Sequence, residues 1–242
     1  RSIRPVLKEF CGASGSGRES AELDLARLPE FSYSFPIRKG FVAVSTALRR
    51  PRMRLPEFLA WEPSQNLRWE FDGCEPIAMT GGTFAHNVIA KNILSALDRR
   101  LNGTPCVVLG SDMKLRTGVD TIRYPDAMVV CTPVLPAAIE IAEPVVVFEV
   151  LSDGTSMTDR IDKTREYELT PSVERYVMLE QDTIAATVLR RAETAWTITV
   201  LRQDETLALP EIGVSVPIGE FYAGLTLGAE PQQDDAGGTN PA

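Results

Sequence analysis

A glutamate lies inside the most apolar stretch of this sequence, PVVVFEVL at residues 144–151. The stretch is short and rich in β-branched residues, with a proline at its start and Ser152-Asp153-Gly154 after it. These features predict a strand that is buried on both faces. An ionised carboxylate at Glu149 is costly in such a strand unless a positive charge compensates it. The stretch therefore predicts a buried acid with a cationic partner.

A second acid, Asp126, stands at the head of another apolar strand, YPDAMVVC at residues 124–131. Two carboxylates on two buried strands are an arrangement that a hard divalent cation would explain. A plainer alternative stays open, because buried acids often cap a loop or pair with an arginine. Arg123, Arg160 and Arg175 are available for such pairing.

The predicted helix after Glu149 carries a polar stripe. Thr155, Asp159, Lys163 and Tyr167 follow one another at intervals of four residues, which places them on one helix face. The helix begins shortly after the strand, so its first turns lie over the strand end. Lys163 would then reach the space between the two acids. The alternative is a solvated face with an ordinary Asp–Lys pair.

Composition limits the class of protein. The 242 residues are 44% hydrophobic and 24% charged, as in a globular domain, and no apolar run reaches the length that crosses a bilayer. The net charge of −8 argues against a broad basic surface, so contacts with DNA would be local. The single histidine disfavours zinc, and the scattered cysteines predict reduced thiols in a cytoplasmic protein that contacts no membrane. These cysteines are Cys11, Cys74, Cys106 and Cys131.

The chain divides into three parts. Residues 1–52 lack periodicity and end in a basic, proline-broken cluster, so we expect a poorly structured extension, with Met53 as a candidate native start. Residues 53–227 carry patterned structure. Residues 228–242 are polar and rich in Gly and Pro, which predicts a disordered tail. Within 53–227 the order is hairpin, helix, three strands, the buried strand, helix and further strands. This order predicts an α/β fold with a mixed central sheet flanked by helices and added β-hairpins.

A resemblance to a known family follows from several motifs. Pro125-Asp126, Glu149-Val150-Leu151 and the pattern Asp159-Arg160-x-x-Lys163-x-x-x-Tyr167 resemble the Uma-type putative restriction endonuclease family, of the PD-(D/E)xK nuclease superfamily. The likeness spans about residues 53–222. Further matches, in chain order, are Phe58-Leu-Ala-Trp-Glu62, Trp69-Glu70-Phe-Asp-Gly73, His86-Asn87, Ser111-Asp112, Lys114-Leu-Arg116, Pro171-Ser172, Glu174-Arg-Tyr176 and Leu209-Pro210.

The resemblance implies a restriction endonuclease-like fold and metal-dependent cleavage of phosphodiester bonds in DNA. Asp126 and Glu149, with the carbonyl of Val150, would hold Mg²⁺, for which Mn²⁺ is a substitute. The superfamily usually places its lysine two residues after the glutamate, where this chain has Leu151. Lys163 matches a lysine moved to the following helix, where it would orient the attacking water.

Other assignments stay open at this point. Glu70 is a further acid of the site or an exposed strand residue, and His86 contacts phosphate or is structural. Asp112 reads as a turn residue. Besides a nuclease, two further classes remain: a catalytically silent nucleic-acid- or protein-binding module, and a hydrolase of another phosphoester. A homodimer is compatible with all three.

Overall fold

The computed structural model of the chain describes residues 52–79, 81–152, 157–193 and 195–227. The predicted extension before residue 52 and the predicted tail after residue 227 lie outside these ranges and stay predictions. The helices in the described ranges are α1 (Leu55–Trp61), α2 (Phe84–Leu101), α3 (Met157–Glu168) and α4 (Ile218–Phe221). The strands, in chain order, are β1 (Trp69–Phe71), β2 (Pro76–Ala78), β3 (Val107–Gly110), β4 (Lys114–Arg116), β5 (Ile122–Arg123), β6 (Ala127–Val130), β7 (Glu140–Ile141), β8 (Val146–Leu151), β9 (Arg175–Glu180), β10 (Ala185–Arg191), β11 (Trp196–Arg202), β12 (Thr206–Leu209) and β13 (Val214–Pro217).

A six-stranded sheet forms the centre of the fold, in the order β11-β10-β9-β8-β6-β3. β8 and β9 are parallel and are joined through α3, whereas the other neighbours are antiparallel. All six residues of β8 are buried, as its apolar sequence predicts. The mixed sheet with helices confirms the predicted α/β class.

The two faces of this sheet carry different cores, because successive side chains of a strand point to opposite faces. On one face Phe148 and Val150 pack with Ile89, Ile93 and Leu97 of α2. On the other face Val147 and Leu151 pack with Tyr167 of α3. Glu149 alternates with Phe148 and Val150, so it belongs to the α3 face.

A second sheet of five short strands has the order β2-β1-β5-β4-β7. Phe58 of α1 stacks on Phe71 of β1 with ring centroids 4.9 Å apart, and Ile122 of β5 completes this cluster. β5 and β7 are only two residues long, too short for a periodic signal, and they were not predicted. The β12–β13 hairpin was also missed, although its alternating burial is typical of strands with one exposed face.

The C-terminal end of α3 is held against the loop after β4. A Cβ atom on Gly118 would lie 2.2 Å from the carbonyl oxygen of Leu169, so only glycine permits this approach of the two backbones. The Gly118 amide donates a hydrogen bond to Thr170 Oγ1 at 2.9 Å. This contact fixes one end of the helix that carries Lys163.

The cysteine prediction needs a correction. Cys106 and Cys131 lie opposite each other at the ends of β3 and β6, with their Cα atoms 4.0 Å apart, and they form a disulfide. The prediction of reduced thiols is wrong for this pair, because scattered positions in the sequence are brought together by strand pairing. Reduced thiols therefore no longer support a cytoplasmic location. None of the helices in the described ranges is long and apolar enough to cross a membrane.

Candidate active site

Asp126 and Glu149 face each other across two antiparallel strands. β6 pairs with β8 so that Ala127 opposes Phe148, and the next pair in the same register is Asp126 with Glu149. Glu149 points to the α3 face, Asp126 directly precedes β6, and both side chains are largely buried, with exposed fractions of 12% for Asp126 and 11% for Glu149. The backbone amide of Val150 donates a hydrogen bond to Asp126 Oδ2 at 2.7 Å, which fixes the orientation of that carboxylate.

Two side chains of α3 contact Glu149. Lys163 Nζ lies 3.3 Å from Glu149 Oε1, and the Tyr167 hydroxyl donates to the same oxygen at 3.0 Å. Lys163 and Tyr167 are four residues apart, so they share one face of the helix. The polar stripe of the sequence therefore faces the sheet at these two positions. The side chains of Thr155 and Asp159, its other members, lie outside the described residues.

Glu149 carries a perturbed pKa. Burial is the largest cause and raises it, the Lys163 ammonium opposes this, and the negative charges of Asp126 and Glu70 raise it further. The result is a pKa of about 7. A bound cation would favour the ionised form of Glu149 in this buried space.

Glu70 of β1 joins the site from the second sheet. Its Oε1 lies 3.4 Å from Lys163 Nζ, and its Oε2 accepts a hydrogen bond from Arg123 at 3.0 Å. Burial, the largest influence, raises its pKa, but the charges of Lys163 and Arg123 more than offset it and the pKa is lowered. The alternative of an exposed strand residue is wrong, since Glu70 is buried.

His86 lies in the first turn of α2. Thr83 caps this helix by accepting a hydrogen bond from the His86 amide, and the Thr83 hydroxyl itself donates to Gln181. His86 Nε2 lies 3.3 Å from Asp126 Oδ2. This hydrogen bond raises the pKa of His86, and burial opposes it. The imidazole is therefore held beside the carboxylate pair.

The arginines that offered an alternative explanation of the two acids bind other carboxylates. Arg123 contacts Glu70 and Glu166, Arg160 lies 3.9 Å from Glu180, and Arg175 forms a fork with Glu211. The cation observed at Glu149 is Lys163 instead. Asp112 is a turn residue, as predicted, and it accepts a hydrogen bond from Arg68.

The donor set fits a magnesium ion, which proteins hold through one or two carboxylates and several waters. Asp126 and Glu149 offer two such carboxylates close enough for the charge of one to act on the other. Within the described residues no group of three or more His, Cys, Asp or Glu side chains is arranged to hold a metal. A site enclosed by protein ligands alone is therefore not seen in those residues, whereas a water-rich magnesium site needs fewer side chains.

Comparison with known proteins shows the family and the fold of the chain. Residues 55–219 match the model of the Uma2 family, described as putative restriction endonuclease. The chain belongs to this family. An uncharacterized protein from Synechocystis sp. is 29% identical over 190 residues, which are 77% of this chain and 100% of the relative. A crystal structure of a putative nuclease belonging to DUF820 from Anabaena variabilis superposes with a TM-score of 0.60 at 16% identity, covering 70% of this chain and 97% of that chain. The fold is restriction endonuclease-like.

Several residues around the site were missed as contributors. Arg123 was considered only as a partner for Asp126 or Glu149, and Glu166 was not considered at all. A further buried network lies next to Glu70. In it the Glu62 carboxylate accepts a hydrogen bond from the Tyr124 hydroxyl and forms an ion pair with Lys114. Their partners are 43 to 62 residues distant in the chain, so no local spacing signals them. Glu62, Lys114 and Glu166 lie within the spans of the family motifs, whereas Arg123 and Tyr124 lie outside them.

Proposed function

We propose that this chain is a Mg²⁺-dependent endonuclease that hydrolyses phosphodiester bonds in DNA. One observation carries the proposal: Asp126 accepts a hydrogen bond from the amide of Val150, the residue after Glu149, and Lys163 Nζ lies 3.3 Å from Glu149. Membership in a family described as putative restriction endonuclease supports the same reaction class.

The carboxylates of Asp126 and Glu149, with the carbonyl of Val150, would hold Mg²⁺ or Mn²⁺. When bound, the ion supplies Lewis-acid stabilisation of the charge that develops on the scissile phosphate. The Val150 amide fixes the orientation of the Asp126 carboxylate by its hydrogen bond. Tyr167 restricts the Glu149 carboxylate from the other side.

Lys163 would orient the attacking water or stabilise the negative charge of the transition state. Its ammonium is held between two carboxylates, at 3.3 Å from Glu149 and 3.4 Å from Glu70, so its position is fixed before substrate binds. Glu70 would set this position as a third acid. His86, at the start of a helix and beside Asp126, would donate a hydrogen bond to a phosphate oxygen.

The DNA contacts would be local. The net charge of −8 argues against electrostatic attraction between the chain as a whole and DNA. Affinity would therefore come from the metal ion, from His86 at the α2 N-terminus and from basic side chains near the site. We expect weak binding that depends on salt. A silent module that binds nucleic acid or protein on the same fold is the competing function.

The test is cleavage of plasmid and linear DNA by the purified full chain in Mg²⁺, in Mn²⁺ and in EDTA. Asp126→Asn, Glu149→Gln and Lys163→Ala should each lose most activity and reach similarly low rates, because members of one catalytic unit are not additive. Asp112→Asn, a surface acid, is the matched control and should cut like the wild type. Calorimetry should show Mn²⁺ binding that Asp126→Asn abolishes. Equal cleavage in EDTA, or DNA binding with neither cleavage nor Mn²⁺ binding, would refute the proposal.

A further inference from the structure

A buried arginine connects α3 and β1, two of the elements that carry the candidate site. Arg123 is 1% exposed. Its Nε and NH2 donate to the two oxygens of Glu166 at 2.7 Å and 2.6 Å, and its NH1 donates to Glu70 at 3.0 Å. One planar guanidinium therefore contacts α3 and β1 from the end of β5.

Arg123 lies close in the chain to Asp126, and its partner Glu166 lies close to Lys163. Arg123 precedes Tyr124, Pro125 and Asp126, and the proline fixes a backbone angle between the arginine and the acid. Glu166 lies one helical turn after Lys163 and next to Tyr167. The four residues from Arg123 to Asp126 thus carry both the Asp126 carboxylate and the guanidinium that holds α3 through Glu166.

We infer that Arg123 is a positioning residue that sets α3 so that the Lys163 ammonium lies between Glu70 and Glu149. This inference rests on the proposed function. In this chain the lysine and the glutamate stand on different elements, so the strand alone does not fix their separation. A bidentate fork between a planar guanidinium and a carboxylate fixes both distance and angle, which a lysine at the same position would not do.

Stability alone does not explain this arrangement. Burying one arginine with two carboxylates carries a large desolvation cost, and apolar residues of similar volume often stabilise a fold as well or better. The Glu70 carboxylate is also shared, because it accepts from Arg123 and lies 3.4 Å from Lys163. Arg123 therefore positions the Lys163 ammonium in two ways. It holds α3 through Glu166, and it holds the Glu70 carboxylate that lies beside the ammonium.

The chain offers a matched control for the experiment. Arg175 forms a fork with Glu211 at 2.7 Å and 3.0 Å, and its side chain is likewise largely buried. This fork joins β9 to the turn after β12, not to α3. The site variants Arg123→Lys and Glu166→Gln are compared with the control variants Arg175→Lys and Glu211→Gln. Both sets disrupt a bidentate arginine–glutamate pair, at α3 in the first set and at β9 in the second. Glu166→Gln keeps the side-chain size and serves if Arg123→Lys does not fold.

The first readout needs no activity. Lysine labelled at Cε and Nζ is observed by NMR in the full chain, and the Lys163 signal is assigned by its loss in Lys163→Arg. We expect Arg123→Lys and Glu166→Gln to move this signal towards that of the exposed Lys91, whereas Arg175→Lys and Glu211→Gln leave it in place. An unmoved Lys163 signal in both site variants would overturn the inference.

The second readout is the kcat for DNA at saturating Mg²⁺. Misplacement of a group by about 1 Å costs about 100-fold, and we expect a loss of that order in both site variants. The controls should lose a similar amount of thermal stability and keep the wild-type kcat. Equal kcat losses in the two forks would overturn the inference by showing a purely structural role. A wild type that cleaves nothing refutes the proposed nuclease, and the NMR readout then decides the positioning role alone.

Discussion

Lys163 Nζ lies 3.3 Å from Glu149 Oε1 across the gap between α3 and β8, although 14 residues separate the two in the chain. The position two residues after the glutamate, where the superfamily usually has its lysine, holds the buried Leu151. Leu151 packs with Tyr167 in the core, so the cation reaches the glutamate from the helix. Charge compensation at Glu149 therefore depends on how α3 is placed.

Removing the Lys163 charge should destabilise the protein. Lys163→Met leaves Glu149 and Glu70 without this compensation, and losing one partner of a buried pair costs about 3–5 kcal/mol in the free energy of unfolding. Chemical denaturation at about pH 9, well above the Glu149 pKa of about 7, measures the loss. Lys91→Met, at an exposed position on α2, is the control and should change little. The double variant Lys163→Met/Glu149→Gln should recover part of the loss, and a single variant as stable as the wild type would contradict the expectation.

The Tyr167 hydroxyl should contribute separately from its ring. The ring is fully buried and packs edge-on against Tyr176 with centroids 4.8 Å apart, and Tyr167→Phe keeps this contact. The variant removes only the hydrogen bond to Glu149 at 3.0 Å. Hydrogen bonds to charged groups contribute about 1.5–3 kcal/mol, so we expect a loss of that size in the free energy of unfolding at a pH above the Glu149 pKa of about 7.

Tyr124→Phe provides the comparison for Tyr167→Phe. It removes a similar hydrogen bond, from the Tyr124 hydroxyl to Glu62 at 2.8 Å, but Glu62 keeps its pair with Lys114. Both variants should be destabilised, and only Tyr167→Phe should change Mn²⁺ affinity in calorimetry. Equal Mn²⁺ affinities in the two variants would show that Tyr167 does not restrain Glu149.

The sequence identified the elements of the site but not how they are held together. β8 and α3 were predicted because each has a strong local signal, an apolar run in one and a polar stripe in the other. Asp126 comes next to the end of β8 because β6 and β8 pair antiparallel, and that register is a property of the whole sheet. The proximity of Lys163 to Glu149 was expected from the helix start, and the structure places the two in contact.

What was missed depends on contacts between distant segments. Arg123 and Glu166 are 43 residues apart, and neither has a periodic or spacing signal that predicts their fork. Glu70 could not be classified, because a three-residue strand does not show which of its faces is buried. The disulfide was missed for the same reason, because Cys106 and Cys131 are brought together by the β3–β6 register.

This disulfide should stabilise the pairing of β3 with β6. It links residues 25 apart in the chain, and closing a loop of that length in the unfolded state contributes about 3–4 kcal/mol in the chain-entropy model. The double variant Cys106→Ser/Cys131→Ser should lose a comparable amount in denaturation. Each single Ser variant should be no more stable than the double one. Unchanged stability of the double variant would show that the link adds nothing to the fold.

The end of α2 should show a pH-dependent contribution to stability. Glu220 of α4 accepts hydrogen bonds from Arg99 at 2.6 Å and from Arg100 at 2.7 Å and 2.9 Å. The Arg100 hydrogen bond is the main cause that lowers the pKa of Glu220, against a weaker opposing effect of burial. A lowered pKa in the folded state means that the stabilisation is fully present above the unfolded glutamate pKa of about 4.3. It is lost as the pH falls through the lower folded value.

Glu220→Gln should therefore lower the free energy of unfolding by about 0.5–1 kcal/mol at pH 7, the size expected for a pair near the surface. The difference from the wild type should shrink once the pH falls below the unfolded glutamate pKa, because the native carboxylate then becomes neutral as well. Urea denaturation at a series of pH values measures this. Glu143→Gln changes an exposed glutamate in the loop before β8, and it should have little effect at any pH. A Glu220→Gln deficit that stays constant down to acidic pH would mean that packing of the side chain, and not its charge, holds α4 to the end of α2.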